Sequence, residues 1–483
     1  MNNKLIDGLN KTVLTENGAL QYGTTGNYCL DFFSKVASMR GRCEEAYRLF
    51  KLAMTENRKV ALMTLLWAYD CRGGAGERAV FKHIFLQGIK DGIIAEWRNI
   101  LDKIPEYGRW DMLVDMLSDP AIEQHGEVQK AILQLISKGL ERQNCLCAKW
   151  MPRQGRNAER IRNWMNVNGR VTNLTRKAYR QMLVYLSRKG NVVEQKMSAN
   201  QWNLIDYSKI PSVAMTRYAA AFTRHSEAIY AQYLADVKAG KAKMNMTVAF
   251  PHDCARMIRG SHLDSTVIDA ANVAYEKLTS DININRNILV MADVSGSMTI
   301  PVSGSVTALD VSVGTAICVA DHNTGPFAGT VLTFSDYPKL VKLSGTFADK
   351  YNRLLNTQDP YGTDFEKAYM AILEVAVRDH LADEDLPETV LVITDMEFNC
   401  VSTNETHMDT IKKQFEAAGY KVPELVFWNL NQRSDGFGIT EDMPKCAMLS
   451  GFSPAVLATV FGDGPIDPVS VMLRTVAVPR YNI

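Results

Sequence analysis

Asn287-Ile288-Leu289-Val290-Met291-Ala292-Asp293-Val294-Ser295-Gly296-Ser297 is the stretch that decides the fold. Its first part is a short, continuous apolar run, the pattern of a strand buried on both faces in a parallel sheet. An acidic residue and two hydroxyls follow at alternating positions, just past the strand end. Working outward, Gly329–Phe334 repeats the apolar run, Val390–Thr394 does so and ends in Asp395, and Glu424–Trp428 follows. Helical patterns fill the intervals at about 306–321, 346–356, 364–380 and 406–418. Alternating strand and helix predicts a doubly wound α/β sheet. In such sheets functional residues gather at the carboxyl ends of the strands, where Asp293 and Asp395 both fall.

The turn after the first strand can aim several oxygens at one point. Gly362-Thr363-Asp364 adds a hydroxyl at a helix start, and Asp395 adds a second carboxylate. Hard divalent cations take oxygen ligands, and magnesium keeps several waters. Asp293, Ser295, Ser297, Thr363 and Asp395 are therefore candidate ligands for Mg2+, with Mn2+ or Ca2+ as alternatives. An Asp-x-Ser-x-Ser string is by itself an ordinary polar turn, and an intact site can also be purely structural. No histidine or general base accompanies the carboxylates at readable spacing, so a hydrolytic centre is not expected. The order Asp-x-Ser-x-Ser, distant Thr, distant Asp resembles the metal-ion-dependent adhesion site of von Willebrand factor A and integrin I domains. That resemblance implies a metal position left open for a carboxylate from a partner protein.

Upstream the grammar is different. From about 27 to 280 the apolar residues fall at helical spacing: Trp97, Ile100, Leu101 and Ile104; Trp110, Leu113, Met116 and Leu117; Ile132, Leu133, Ile136 and Leu140. Gly73-Gly74, Pro105 with Gly108, and Pro120 punctuate them. The rhythm suggests an all-α, HEAT-like helical-repeat domain, although no crisp period emerges. The expected division is an N-terminal segment at 1–26, a helical domain at 27–282, an α/β domain at 283–463, and a C-terminal segment at 464–483 packing back on the helical part.

Charge is unevenly spread. The formal net charge is +1, yet between Arg142 and Lys189 the only acidic residue is Glu159, while Asp281–Glu397 is strongly acidic. The basic stretch interleaves Trp150, Trp164, Tyr179 and Tyr185 with cations. Rings among cations make a nucleic-acid footprint. A solvated basic face and an internal partner for the acidic half are the competing readings. The candidate RNA-contacting residues, chosen on charge alone, are Lys149, Arg153, Arg156, Arg160, Arg162, Arg176, Lys177, Arg180, Arg188 and Lys189.

Several stretches resemble a Ro-like group of the same layout: Cys71-Arg72-Gly73-Gly74-Ala75-Gly76-Glu77-Arg78, Ile104-Pro105-Glu106-Tyr107-Gly108-Arg109-Trp110, Ala148-Lys149-Trp150-Met151-Pro152, Asp395-Met396-Glu397-Phe398, Phe427-Trp428-Asn429-Leu430 and Ser450-Gly451-Phe452-Ser453. A helical array followed by a von Willebrand A domain is also the layout of the Ro autoantigen, or TROVE, family. That family's helical ring binds small structured noncoding RNAs outside and single-stranded ends of misfolded RNAs in its hole. The resemblance implies an RNA-binding protein without catalytic activity, with the metal site available to an Asp or Glu of a protein partner. The alternative is an assembly scaffold that acts through the metal site without RNA.

The remaining features narrow the class. A chain of 483 residues with 46% hydrophobic content can build two or three ordinary cores. The nine cysteines are dispersed and form no Cys-x-x-Cys pair, which reads as free thiols in a reducing compartment. No signal pattern or membrane-length apolar run is present. The expectation is a cytoplasmic protein with no membrane partner.

Overall fold

The computed structural model describes residues 12–15, 19–169, 173–190, 192–282, 284, 286–333, 338–357, 365–396, 407–431, 433, 435–452 and 464–483. The strands expected from unbroken apolar runs form: β3 is Ile288–Ala292, β6 Thr330–Thr333, β8 Thr389–Thr394 and β9 Glu424–Asn429. Every residue of β3, β6 and β8 is buried, which is why these runs show no polar alternation. The other strands are β1 (Thr12–Leu14), β2 (Leu20–Tyr22), β4 (Pro301–Ser303), β5 (Val306–Thr307), β7 (Leu340–Lys342) and β10 (Cys446–Ser450). The main sheet runs β10-β9-β8-β3-β6-β7. Neighbours are parallel except for β7, which closes one edge antiparallel to β6.

This order fixes the site. From β3 the chain winds one way, to β6 and β7, and then returns to the other side of β3 for β8, β9 and β10. The reversal lies between β3 and β8, so their carboxyl ends border the crevice where such sheets bind ligands. The helices Ala308–His322, Phe347–Leu355, Phe365–Arg378 and His407–Ala417 occupy the intervals read as helical, with ends shifted by at most two residues. Together with the helices upstream, this is an all-α region followed by a doubly wound α/β sheet of von Willebrand A type.

Compactness follows different lines from a chain-order division at 27, 283 and 464. One unit gathers Met1–Ala68, Gly73–Ala75 and Tyr207–Asn482; the other gathers Tyr69–Arg72, Gly76–Asp206 and Ile483. The physical reason lies in the helix Ala308–His322, which is buried on nearly all sides from Ala308 to Ala320. The sheet covers one face and helix Pro251–Arg259 the other. The two helices approach so closely at Gly314 that a Cβ there would lie 2.9 Å from the His252 backbone nitrogen. Helices 251–259 and 265–279 therefore belong with the sheet's core. Helix Pro468–Val476 packs on β10 and on helix Tyr28–Lys35 within the same unit.

In the other unit the helical stripes point inward as their spacing requires. Ile100, Leu101, Ile104, Leu113, Met116, Leu117, Ile132, Leu133, Ile136 and Leu140 are all buried. No helix among the described residues is long and apolar enough to cross a membrane. All the described cysteines are free thiols.

Arg259 ties helix Pro251–Arg259 to the start of helix Ala308–His322. Its Nε and Nη2 donate to the two Asp310 oxygens at 3.0 and 2.8 Å. Asp310 is fully buried and also caps its own helix, accepting from the Thr307 N–H at 2.9 Å. Removing the guanidinium leaves that carboxylate short of charge-assisted bonds. Arg259→Ala is expected to lower unfolding free energy by about 2 kcal/mol, measured as the urea midpoint shift at constant slope.

Candidate metal centre and basic face

Asp293 leaves β3 and Asp395 leaves β8, side by side. The register pairs Ala292 with Ile393, and the Asp293 N–H continues it by donating to the Ile393 carbonyl at 3.0 Å. Asp293 is fully buried, Asp395 is 1% exposed and Ser295 is 7% exposed. The turn is built by its own polar groups: the Ser295 N–H donates to Asp293 Oδ1 at 2.9 Å, and the Ser295 and Ser297 hydroxyls meet at 3.0 Å. The structure thus brings together Asp293, Ser295 and Ser297 on one short turn, with Asp395 at the neighbouring strand end. Thr363 lies outside the described residues.

Electrostatics show what the arrangement lacks. Burial first, and the charge of Asp395 second, push the Asp293 carboxyl well up from the ordinary carboxylate range. Bonds from Ser295 and Thr394 oppose the rise. Two buried carboxylates beside two converging hydroxyls are an oxygen donor set short of positive charge. A hard divalent cation fits that set.

Two supporting hydroxyls escaped the sequence reading. Thr394 Oγ1 donates to Asp293 Oδ2 at 3.1 Å and accepts the Met396 N–H at 3.1 Å. Ser312 Oγ donates to the Asp293 carbonyl at 2.8 Å. Their one signal was a hydroxyl inside an otherwise apolar strand or helix. Met396, just after Asp395, holds φ at +67°. That left-handed conformation costs a non-glycine residue about 1–2 kcal/mol, so it marks a turn held against its preference.

The ten cations proposed from charge separate into two groups. Lys149 pairs with Glu194 at 2.9 Å, Arg156 and Arg160 with Glu123 at 2.7 and 3.1 Å, and Arg162 and Arg176 with Glu159 at 2.9 and 2.6 Å. Arg160 and Arg162 also donate to the Leu117 and Leu174 carbonyls. The Arg162 hydrogen bond, ahead of the influence of Arg176, holds the Glu159 carboxyl below its ordinary range. All five make ion pairs within their own unit, Lys149, Arg160 and Arg162 partly buried and Arg156 and Arg176 exposed. Glu123 and Glu194 come from other helices of the same unit, and Glu159 lies on the same helix as Arg162; none comes from the acidic stretch.

The other five are exposed and make no ion pair among the described residues: Arg153, Lys177, Arg180, Arg188 and Lys189. Lys189 donates to the Gln143 side chain at 2.7 Å. Four of them lie on helix Arg176–Lys189, whose opposite face buries Tyr179, Leu183 and Leu186. Lys177, Arg180, Val184 and Arg188 follow the three-and-four spacing of one helix face. Tyr185, 62% exposed, stands beside them.

Fold and site together define a class: an all-α region followed by a von Willebrand A-type sheet with an Asp-x-Ser-x-Ser turn at its switch point. Residues 287–476 match the family model described as Domain of unknown function (DUF7788), and residues 156–288 match the one described as Domain of unknown function (DUF2828). The two matches meet where β3 begins. Uncharacterized protein L728 of Acanthamoeba polyphaga mimivirus is 27% identical over 509 aligned residues, covering 95% of this chain and 86% of that protein. The crystal structure of the Ro (RSR) protein of Deinococcus radiodurans is similar over 91% of this chain and 92% of that one, with 14% identity and a TM-score of 0.43.

Proposed function

We propose that the protein binds RNA on the basic face of helix Arg176–Lys189 and takes a partner's carboxylate at a divalent-metal centre on Asp293, Ser295, Ser297, Thr363 and Asp395. The observation that carries the RNA reading is that face itself: Lys177, Arg180 and Arg188 exposed in one row, without ion pairs among the described residues, beside an exposed tyrosine. Cations left over after internal pairing are available to phosphates, and a ring beside them offers a stacking surface for an unpaired base. The RNA class in this reading is small structured noncoding RNA or single-stranded ends. The protein binds and does not catalyse, and its setting is cytoplasmic.

At the metal centre, Mg2+ is the expected ion, with Mn2+ or Ca2+ as alternatives. The two aspartates would hold it with the hydroxyls, and its chemistry there is to supply positive charge for an incoming Asp or Glu. Thr394 and Ser312 would orient Asp293.

The test is titration of labelled RNA with the full chain over a range of salt. Affinity is expected to fall linearly with salt on logarithmic axes. Absence of binding at low salt rejects the reading. The scaffold alternative is favoured by the converging donors at Asp293, Ser295, Ser297 and Asp395. Asp293→Ala separates the two: RNA affinity is expected to stay within about twofold under the RNA reading, whereas the scaffold reading requires loss of partner capture.

A further inference from the structure

The N-terminal hairpin bears directly on the turn that carries Asp395. Gln21, in β2, is 3% exposed, and its Nε2 donates to the Met396 carbonyl at 3.0 Å. On the other side, the Met396 N–H donates to Thr394 Oγ1, which donates in turn to Asp293 Oδ2. Both polar groups of Met396 are thus held, and the relay from Gln21 ends on a candidate ligand. The residue so held has φ +67° and is itself buried.

The hairpin is fixed in place by more than this one bond. Tyr22 and Phe437 exchange backbone hydrogen bonds at 3.0 and 2.8 Å. Thr15 and Ala19 close the hairpin, and Ala19 shares a core with Met396, Phe427, Phe437 and Ile439. At Gly436 a Cβ would fall 2.3 Å from Gln21 Cβ, so the loop before Phe437 packs on the glutamine as closely as a backbone can.

We infer that Gln21 is a positioning residue for the metal centre: its amide clamps the Met396 carbonyl and so holds the Asp395 turn in the left-handed conformation that sets the two carboxylates together. The inference rests on the metal reading proposed above. Without the donor, one of the two hydrogen bonds that hold Met396 against its strain is lost, and the turn relaxes toward negative φ, carrying Asp395 away from Asp293. Groups hydrogen-bonded to a metal ligand typically change metal affinity by roughly 10–100-fold, and Gln21 acts on such a group, Thr394, through Met396.

The experiment uses the full chain and two variants. Gln21→Leu keeps most of the volume and removes the donor; Gln21→Glu keeps the shape and replaces the donor with an acceptor. Mn2+ affinity is read by calorimetry, and hydrogen exchange of the Met396 amide is read by NMR without metal. Both variants are expected to bind Mn2+ roughly 10–100-fold more weakly and to exchange the Met396 amide faster. Adding Met396→Gly, which removes the strain, is expected to restore most of the affinity. Wild-type Mn2+ affinity in both variants overturns the proposal, as does failure of Met396→Gly to rescue them. A wild-type chain that binds no Mn2+ overturns the metal reading and the role in it together. The exchange rates then tell that failure from failure of the clamp, which shows as unchanged Met396 exchange.

Discussion

Replacing Lys177, Arg180 and Arg188 together by alanine is expected to weaken RNA binding by about 100-fold at 0.1 M salt, and to leave the fold intact. The magnitude follows from counterion release. Each phosphate contact on a single strand contributes roughly 0.7 to the slope of log affinity against log salt. Three lost contacts therefore remove about two decades of affinity at 0.1 M relative to 1 M salt, and flatten the slope by about 2. The fold is spared because these side chains are exposed and engage no carboxylate among the described residues, and alanine favours the helix. Tyr185→Ala is expected to behave differently, with a loss of about 1–3 kcal/mol from stacking that salt does not change. Arg160→Ala and Arg162→Ala supply the contrast. Each removes a donor to a backbone carbonyl, Leu117 or Leu174, so stability falls while RNA affinity stays near wild type. Titrations at several salt concentrations, with melting curves for each variant, check all of this. An unchanged salt slope in the triple variant rejects the face as the RNA surface.

The contrast also shows where reading the chain in order misleads. Counting charges from Arg142 to Lys189 finds a single acid, Glu159, and suggests a broad free surface. Helix packing then brings Glu123 and Glu194, both outside that window, onto Arg156, Arg160 and Lys149. Charge composition is local in sequence and ion pairing is not, so the surplus was legible and its location was not. The sheet was more legible because burial on both faces leaves a continuous apolar signature in β3, β6, β8 and β9. The short edge strand β7, with both ends exposed, has no such run. Asp293 and Asp395 could be read because strand ends are marked by the switch from apolar to acidic. Thr394 hides inside its strand as an ordinary β-former, and Gln21 lies 375 residues from the carbonyl it holds. The helices at 251–279 read as part of the upstream array, because their pattern reports that one face is buried and not against what.

Saturating Mg2+ is expected to raise the stability of the wild-type chain, and Asp293→Asn to abolish that rise. An ion present at about 100 times its dissociation constant stabilises the folded state by about 2.7 kcal/mol if it does not bind the unfolded chain. The pH dependence follows from the same carboxylate. Burial and Asp395 raise the Asp293 pKa in the folded protein, so the folded state holds that proton more tightly than the unfolded chain does. Without metal, this group's contribution to stability declines as pH rises from the ordinary carboxylate range toward neutrality. A divalent cation takes the place of the proton and supplies the charge that the pair needs, so the benefit of Mg2+ is expected to be larger at pH 7.5 than at pH 5. An asparagine side chain in place of Asp293 carries no charge to repel Asp395. The Asp293→Asn chain is therefore expected to match or exceed wild-type stability in EDTA at pH 7.5, and to gain nothing from Mg2+. Thermal melts of both proteins at the two pH values, with EDTA and with Mg2+, decide the matter. A Mg2+-dependent rise that survives in Asp293→Asn would place the ion elsewhere, and a wild-type rise larger at pH 5 would remove Asp293 as the group that exchanges a proton for the metal.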